Sequence, residues 1–92
     1  MYLIGIDISK YKHDCFIATE AGEIIKDSFS FDNDAKGFGQ LLDVLQTLDP
    51  SQTKRIGLEA TGHYGYNLKV FLDRNGFDYM EFNPILVKKL ST

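Results

Sequence analysis

A single cysteine, two prolines and no apolar run that approaches the length of a membrane helix mark this chain by what it lacks. Cys15 without a second cysteine excludes an internal disulfide and a cysteine-based zinc site, and it reads as a buried or half-buried thiol in a strand. Spanning a bilayer takes roughly 20 consecutive apolar residues, and the start has no cationic segment leading into a signal-type core. The expectation is a cytoplasmic protein with no membrane partner. Low-complexity tracts and internal repeats are missing as well. So is a basic excess: the formal net charge is −3, which argues against a domain that grips nucleic acid by bulk electrostatics. The lysines and arginines are scattered from Lys10 to Lys89 with no dense block, the pattern of a solvated face. An acidic balance is compatible with a catalytic domain, because metal-binding carboxylates contribute to it.

What remains is the composition of one small α/β domain, 92 residues with 43% hydrophobic and 25% charged side chains. Tyr2-Leu3-Ile4-Gly5-Ile6-Asp7-Ile8 reads as an apolar strand, His13 to Thr19 as a second, and Ile24 to Phe31 as a third, with Ile25, Phe29 and Phe31 alternating. Gly22 supplies the turn between the last two. Asn33 or Asp34 then offers a helix cap, and Phe38, Leu41, Leu42, Leu45 and Leu48 fall on one helical stripe. Arg55 to Glu59 is too short and too apolar for anything but a buried strand. Tyr64, Leu68, Phe71 and Leu72 carry a second helix, with Thr61 as its expected cap and Asn75-Gly76 as its stop. Phe77 to Phe82 makes a fifth strand, and Asn83-Pro84 opens a last short helix through Leu90. Apolar residues on both faces make the first strand central, so the fourth joins it in parallel by a crossover, giving a five-stranded mixed sheet of order 3-2-1-4-5 with flanking helices.

In that order two acids come together. Asp7 and Glu59 each close an apolar strand, and each follows a glycine, Gly5 or Gly57, that shares its face and leaves room beside it. Adjacent strands lie about 4.8 Å apart, so the two carboxylates repel unless a cation sits between them. Hard oxygen ligands on a rigid sheet suit Mg²⁺ (or Mn²⁺), and phosphoryl-transfer sites use such ions in pairs about 3.5–4 Å apart. The chemistry this suggests is cleavage or exchange of phosphodiester bonds. Taken singly, each acid has a plainer explanation, Asp7 as a strand-end turn former and Glu59 as a surface carboxylate.

Gly5-Ile6-Asp7-Ile8-Ser9-Lys10, Leu58-Glu59-Ala60-Thr61-Gly62 followed by Tyr64, and Asn83-Pro84 with Val87-Lys88-Lys89-Leu90 together resemble the amino-terminal domain of the DEDD transposases of the insertion-sequence-110 group. The resemblance extends over the whole chain, and Glu59-Ala60-Thr61-Gly62-His63-Tyr64 is its most specific piece. It implies an RNase H-like (RuvC-like) nuclease fold in which four acids bind divalent metal, with Asp7 as the first and Glu59 as the second. The third and fourth acids of the family lie just beyond the asparagine-proline and lysine-rich stretch. Residues 1–92 would then be the amino-terminal part of the catalytic domain, truncated before those two acids, and inactive by itself. The implied partners are DNA and an element-encoded guide RNA. A serine of the family's separate carboxy-terminal domain, implicated in strand exchange, has no counterpart among the serines here. Exposed apolar surface on a truncated sheet favours a homo-oligomer.

Lys10 stands close enough after the first acid to meet a phosphate as a point charge, and Thr61 and His63 are candidate substrate contacts beside the second. Each also has a bland role: Lys10 as an exposed loop residue, Thr61 as a cap, His63 as a solvent-facing residue at a helix start. Tyr64 and Tyr66 could stack on bases, although Tyr64 fits the core stripe of the helix. Two other readings of the chain stand beside the nuclease. Gly5-Ile6-Asp7 opening a hairpin resembles the first phosphate loop of actin-like and sugar-kinase ATPases, but Ser9-Lys10-Tyr11-Lys12 puts bulky side chains where such a loop needs glycine. A non-catalytic module that binds a partner or nucleic acid is the third.

Overall fold

Alternation along the first strand decides the architecture. In β1 (Tyr2–Ile8), Tyr2, Ile4, Ile6 and Ile8 are buried while Leu3, Gly5 and Asp7 are exposed, so one face of the strand enters a core and the other does not. The structure, a computed structural model, describes residues 1–60 and 63–82. The remaining elements are β2 (Lys12–Thr19), β3 (Ile24–Asp32), α1 (Ala35–Gln46), β4 (Lys54–Ala60), α2 (Tyr66–Arg74) and β5 (Tyr79–Phe82). The sheet has the order β3-β2-β1-β4-β5 that the sequence predicts. β1 pairs antiparallel with β2 and parallel with β4, and β4 pairs parallel with β5.

One apolar cluster joins the inward face of the sheet to both helices. Ile4, Ile6, Ile8, Ile17, Ile56 and Leu58 from the strands meet Leu41 and Leu45 of α1 and Leu68 and Leu72 of α2. The helices also touch each other, with the rings of Phe38 and Phe71 5.5 Å apart. Each fully buried aliphatic side chain of this kind contributes about 1.5–3 kcal/mol relative to exposure. Among the described residues, both helices therefore cover the same face.

Local signals set the helix ends. Asp34, not Asn33, is the N-cap of α1, its carboxylate accepting from the Gly37 amide at 2.8 Å. Gly37 is required by contact, since a Cβ there would overlap the backbone carbonyl of Asp32 at the end of β3. Asn75 ends α2, followed by Gly76 at φ 75°, the left-handed stop expected there.

Three expectations need correction. Ile25 does not face the core but is 40% exposed. Cys15 pairs with Phe29 whereas Ile17 pairs with Lys26, so β3 is irregular against β2 and its alternation slips. Tyr64 precedes α2 and is exposed, because the helix starts one turn later than its apolar pattern suggests. The cap of that helix is Gly65, with no side-chain hydrogen bond, which removes the capping role from Thr61. Thr61 itself, and the short helix expected from Asn83 to Leu90, lie outside the described residues.

Candidate metal centre

The parallel pairing of β1 with β4 sets Asp7 directly opposite Glu59, and Gly5 directly opposite Gly57. Opposite residues in a ladder share a face, so the two acids stand side by side on backbones about 4.8 Å apart. Both are exposed, on the face away from the helices. They also lie toward the C-terminal edge of parallel strands, the edge at which open α/β sheets bind ligands.

The two glycines do different things. Nothing lies within 4 Å of where a Cβ on Gly5 would be, so the space next to Asp7 is open. A Cβ on Gly57 would come within 2.5 Å of Phe82 Cε2. The room beside Glu59 is thus partly taken by an aromatic ring from β5, a feature the glycine spacing does not reveal. A cleft of about 340 Å³ results, lined by Gly5, Asp7, Asp14, Phe16, Glu59 and Phe82 among others.

Asp14 is the residue that reading the sequence missed. It pairs with Asp7 across the β1–β2 hairpin, making a row of three carboxylates, Asp14, Asp7 and Glu59, over three adjacent strands. The signal was available, because a hairpin turning symmetrically about Lys10-Tyr11 brings these positions opposite each other. Asp14 accepts a hydrogen bond from the Ser30 hydroxyl. Among the described residues no three His, Cys, Asp or Glu side chains are grouped as a complete metal site requires. Asp7 and Glu59 fit a divalent ion as a pair of hard oxygen donors on a rigid support, with further ligands needed from elsewhere. Cys15 lies under the cleft, but burial pushes its thiol pKa up to about 12, which removes it as a thiolate ligand near neutrality.

The loops after the two acids carry the other candidates. Lys10 is exposed in the β1–β2 connection, its ammonium 5.1 Å from the centre of the Tyr11 ring. His63 is exposed in the turn ahead of α2, its ring 5.1 Å from that of Tyr64. The expected substrate contacts Lys10 and His63 thus follow the strand ends that carry the acids.

The chain matches the model of a transposase family, the DEDD transposases of the insertion-sequence-110 type, over residues 4–92. The chain belongs to the DEDD transposase family. Its five-stranded mixed sheet with two helices is the RNase H-like arrangement that membership predicts. No curated protein matches this chain. Among solved structures it is similar to Pelota of Archaeoglobus fulgidus, with a TM-score of 0.54 and 14% identity over 89% of this chain and 26% of that one. It is also similar to the Ppx/GppA phosphatase of Aquifex aeolicus, with a TM-score of 0.51 and 16% identity over 91% of this chain and 36% of that one. At such identities the likeness is one of fold, and the DEDD transposase chain spans about a quarter to a third of the length of these proteins.

Proposed function

We propose that residues 1–92 form the amino-terminal part of a transposase catalytic domain that cleaves and exchanges DNA strands, with Asp7 and Glu59 as two of its divalent-metal ligands. The observation that carries this reading is the direct pairing of Asp7 with Glu59 on the uncovered face of the sheet. Strand pairing fixes the backbone beneath both carboxylates before any ligand arrives, so only side-chain ordering is left to lose on binding. The third and fourth acids would come from the segment of the family that follows residue 92. When bound, Mg²⁺ or Mn²⁺ supplies Lewis acidity and stabilisation of phosphoryl charge. Gly5, bare of a side chain, leaves space for a DNA backbone to approach Asp7. Lys10 offers its ammonium to a phosphate. His63, exposed in the turn ahead of α2, offers a second contact, and Thr61 is proposed as a further one. DNA is the substrate, and a guide RNA and a second copy of the protein are the further partners the family membership favours.

Asp7→Asn and Glu59→Gln in the full transposase test the assignment. Strand cleavage should fall to background in both, with the fold intact. Calorimetric titration of the 92-residue chain with Mn²⁺ should give a weak binding heat that Asp7→Asn removes. Cleavage retained in either variant would refute the ligand roles. A chain with no Mn²⁺ heat at all would instead favour a non-catalytic binding module.

A further inference from the structure

Strand pairing places the two acids, but it does not place the loops that follow them. Asn33 sits between β3 and α1, where the capping role has passed to Asp34 and left the Asn33 side chain free for other work. Its amide nitrogen donates to the carbonyl of Lys10 at 3.1 Å and to the carbonyl of Tyr64 at 3.3 Å. Its backbone amide donates to the carbonyl of Tyr11 at 2.9 Å. One side chain thereby holds both the loop that leaves Asp7 and the turn that follows Glu59.

The other end of the Asn33 amide is equally constrained. Its Oδ1 and the Nε2 of His13 are both buried, and neither has a hydrogen-bond partner among the described residues. The two side chains lie within interaction range of each other. His13 is fully buried, and its Nδ1 accepts the Ser9 amide at 3.2 Å, so the imidazole proton resides on Nε2. His13 Nε2 and Asn33 Oδ1 are a donor without an acceptor and an acceptor without a donor, the combination that a small adjustment of either side chain would pair. The ring is fixed edge-on against Phe31 at 5.4 Å and parallel to Phe38 at 6.4 Å. Phe38 belongs to α1, so the chain of contacts runs from the helix layer through His13 and Asn33 to the two loops.

We infer that Asn33, oriented by His13, is a positioning residue that locks the Lys10 loop to the His63-Tyr64 turn, so that the side chains of both meet the DNA backbone as one fixed surface. The inference rests on the transposase reading of the acid pair and extends it to substrate placement. A carboxamide is the right group for the task, because its NH₂ has a proton for each carbonyl while its oxygen is left to accept from the imidazole N–H. Asn33→Asp keeps the shape but sets a carboxylate oxygen against two carbonyl oxygens. His13→Phe keeps the ring packing and removes the polar partner.

The test uses both variants in two settings. In the full transposase, Asn33→Asp should lower kcat/KM for DNA cleavage roughly 10- to 100-fold, mainly through KM, the scale on which misplaced substrate contacts act. His13→Phe should do the same to a smaller extent, and His13→Gln, which retains a donor, should recover part of the loss. In the 92-residue chain, Mn²⁺ affinity should stay at the wild-type level in all three, since the acids are held by the strands. NMR of the same chain should show the Ser9, Lys10 and Tyr64 amides disturbed and exchanging faster, with the signals of Ile4 and Leu58 unchanged. Wild-type kcat/KM together with undisturbed loop amides in Asn33→Asp would overturn the inference. So would a loss of Mn²⁺ binding or of the Ile4 and Leu58 signals, which would mean general damage. If Asp7→Asn proves fully active, the metal reading fails separately, and the loop amides still decide whether Asn33 holds the loops.

Discussion

The two faces of this sheet are built from alternate residues of the same strands and obey different rules. On the helix side Ile4, Ile6, Ile17, Ile56 and Leu58 are at most 3% exposed, and among the described residues His13 is the one buried polar or charged side chain. On the other side β1, β2 and β5 present Leu3, Phe16, Met80 and Phe82 at 39–61% exposure, around a row of carboxylates. A side chain on the first face is held by contacts that exist once the chain has folded. On the second, the acids contribute little to the fold and are free to bind something else. The comparison shows how a period-two pattern lets one short strand serve stability and chemistry without either constraining the other.

The comparison breaks most sharply under substitution of matched residues. Leu58→Ala on the covered face should cost about 2–5 kcal/mol in urea unfolding, while Leu3→Ser on the uncovered face should stay within about 0.5 kcal/mol. A large loss from Leu3→Ser would mean that the second face is covered too. Next in size is Gly37→Ala, which presses a methyl group into the backbone of Asp32. It should cost about 1–3 kcal/mol, as overpacking does, and should pull apart β3 and α1 rather than the acid pair.

The smallest effect is a pH dependence confined to the covered face. Burial holds the His13 pKa below its ordinary value of 6.5, so the folded ring refuses a proton that the unfolded chain accepts. Its contribution to stability is complete above about 6.5 and is lost as pH falls through the folded value. Urea midpoints measured at pH 7 and pH 5 should therefore differ more for the wild type than for His13→Phe. Equal differences would place the acid sensitivity outside His13.

Much of this architecture was legible in advance, and the reason is periodicity. Leu41, Leu45, Leu68 and Leu72 repeat at helical spacing, and Tyr2 to Ile8 alternates, so the faces these residues bury follow from local geometry. The order 3-2-1-4-5 followed from a central first strand and a crossover. Asp7 and Glu59 were found because each closes an apolar run after a glycine. Asp14, by contrast, closes no apolar run, and only the register of the hairpin about Lys10-Tyr11 sets it opposite Asp7. The ring of Phe82 over Gly57, the slip of β3 beside Ile17 and the late start of α2 at Tyr66 depend on how neighbouring elements meet. No window of local sequence contains that information.

The chain's own pattern of residues determined which segments become strands and helices, which side of each is apolar, and that two carboxylates would end neighbouring parallel strands. Those properties depend on spacing along one element or on the order of a few elements. Only the folded molecule decided that Phe82 narrows the cleft and that Asn33 spans two loops with His13 behind it. Each of these is a contact between residues far apart in the chain, set by register and by the packing of one layer on another.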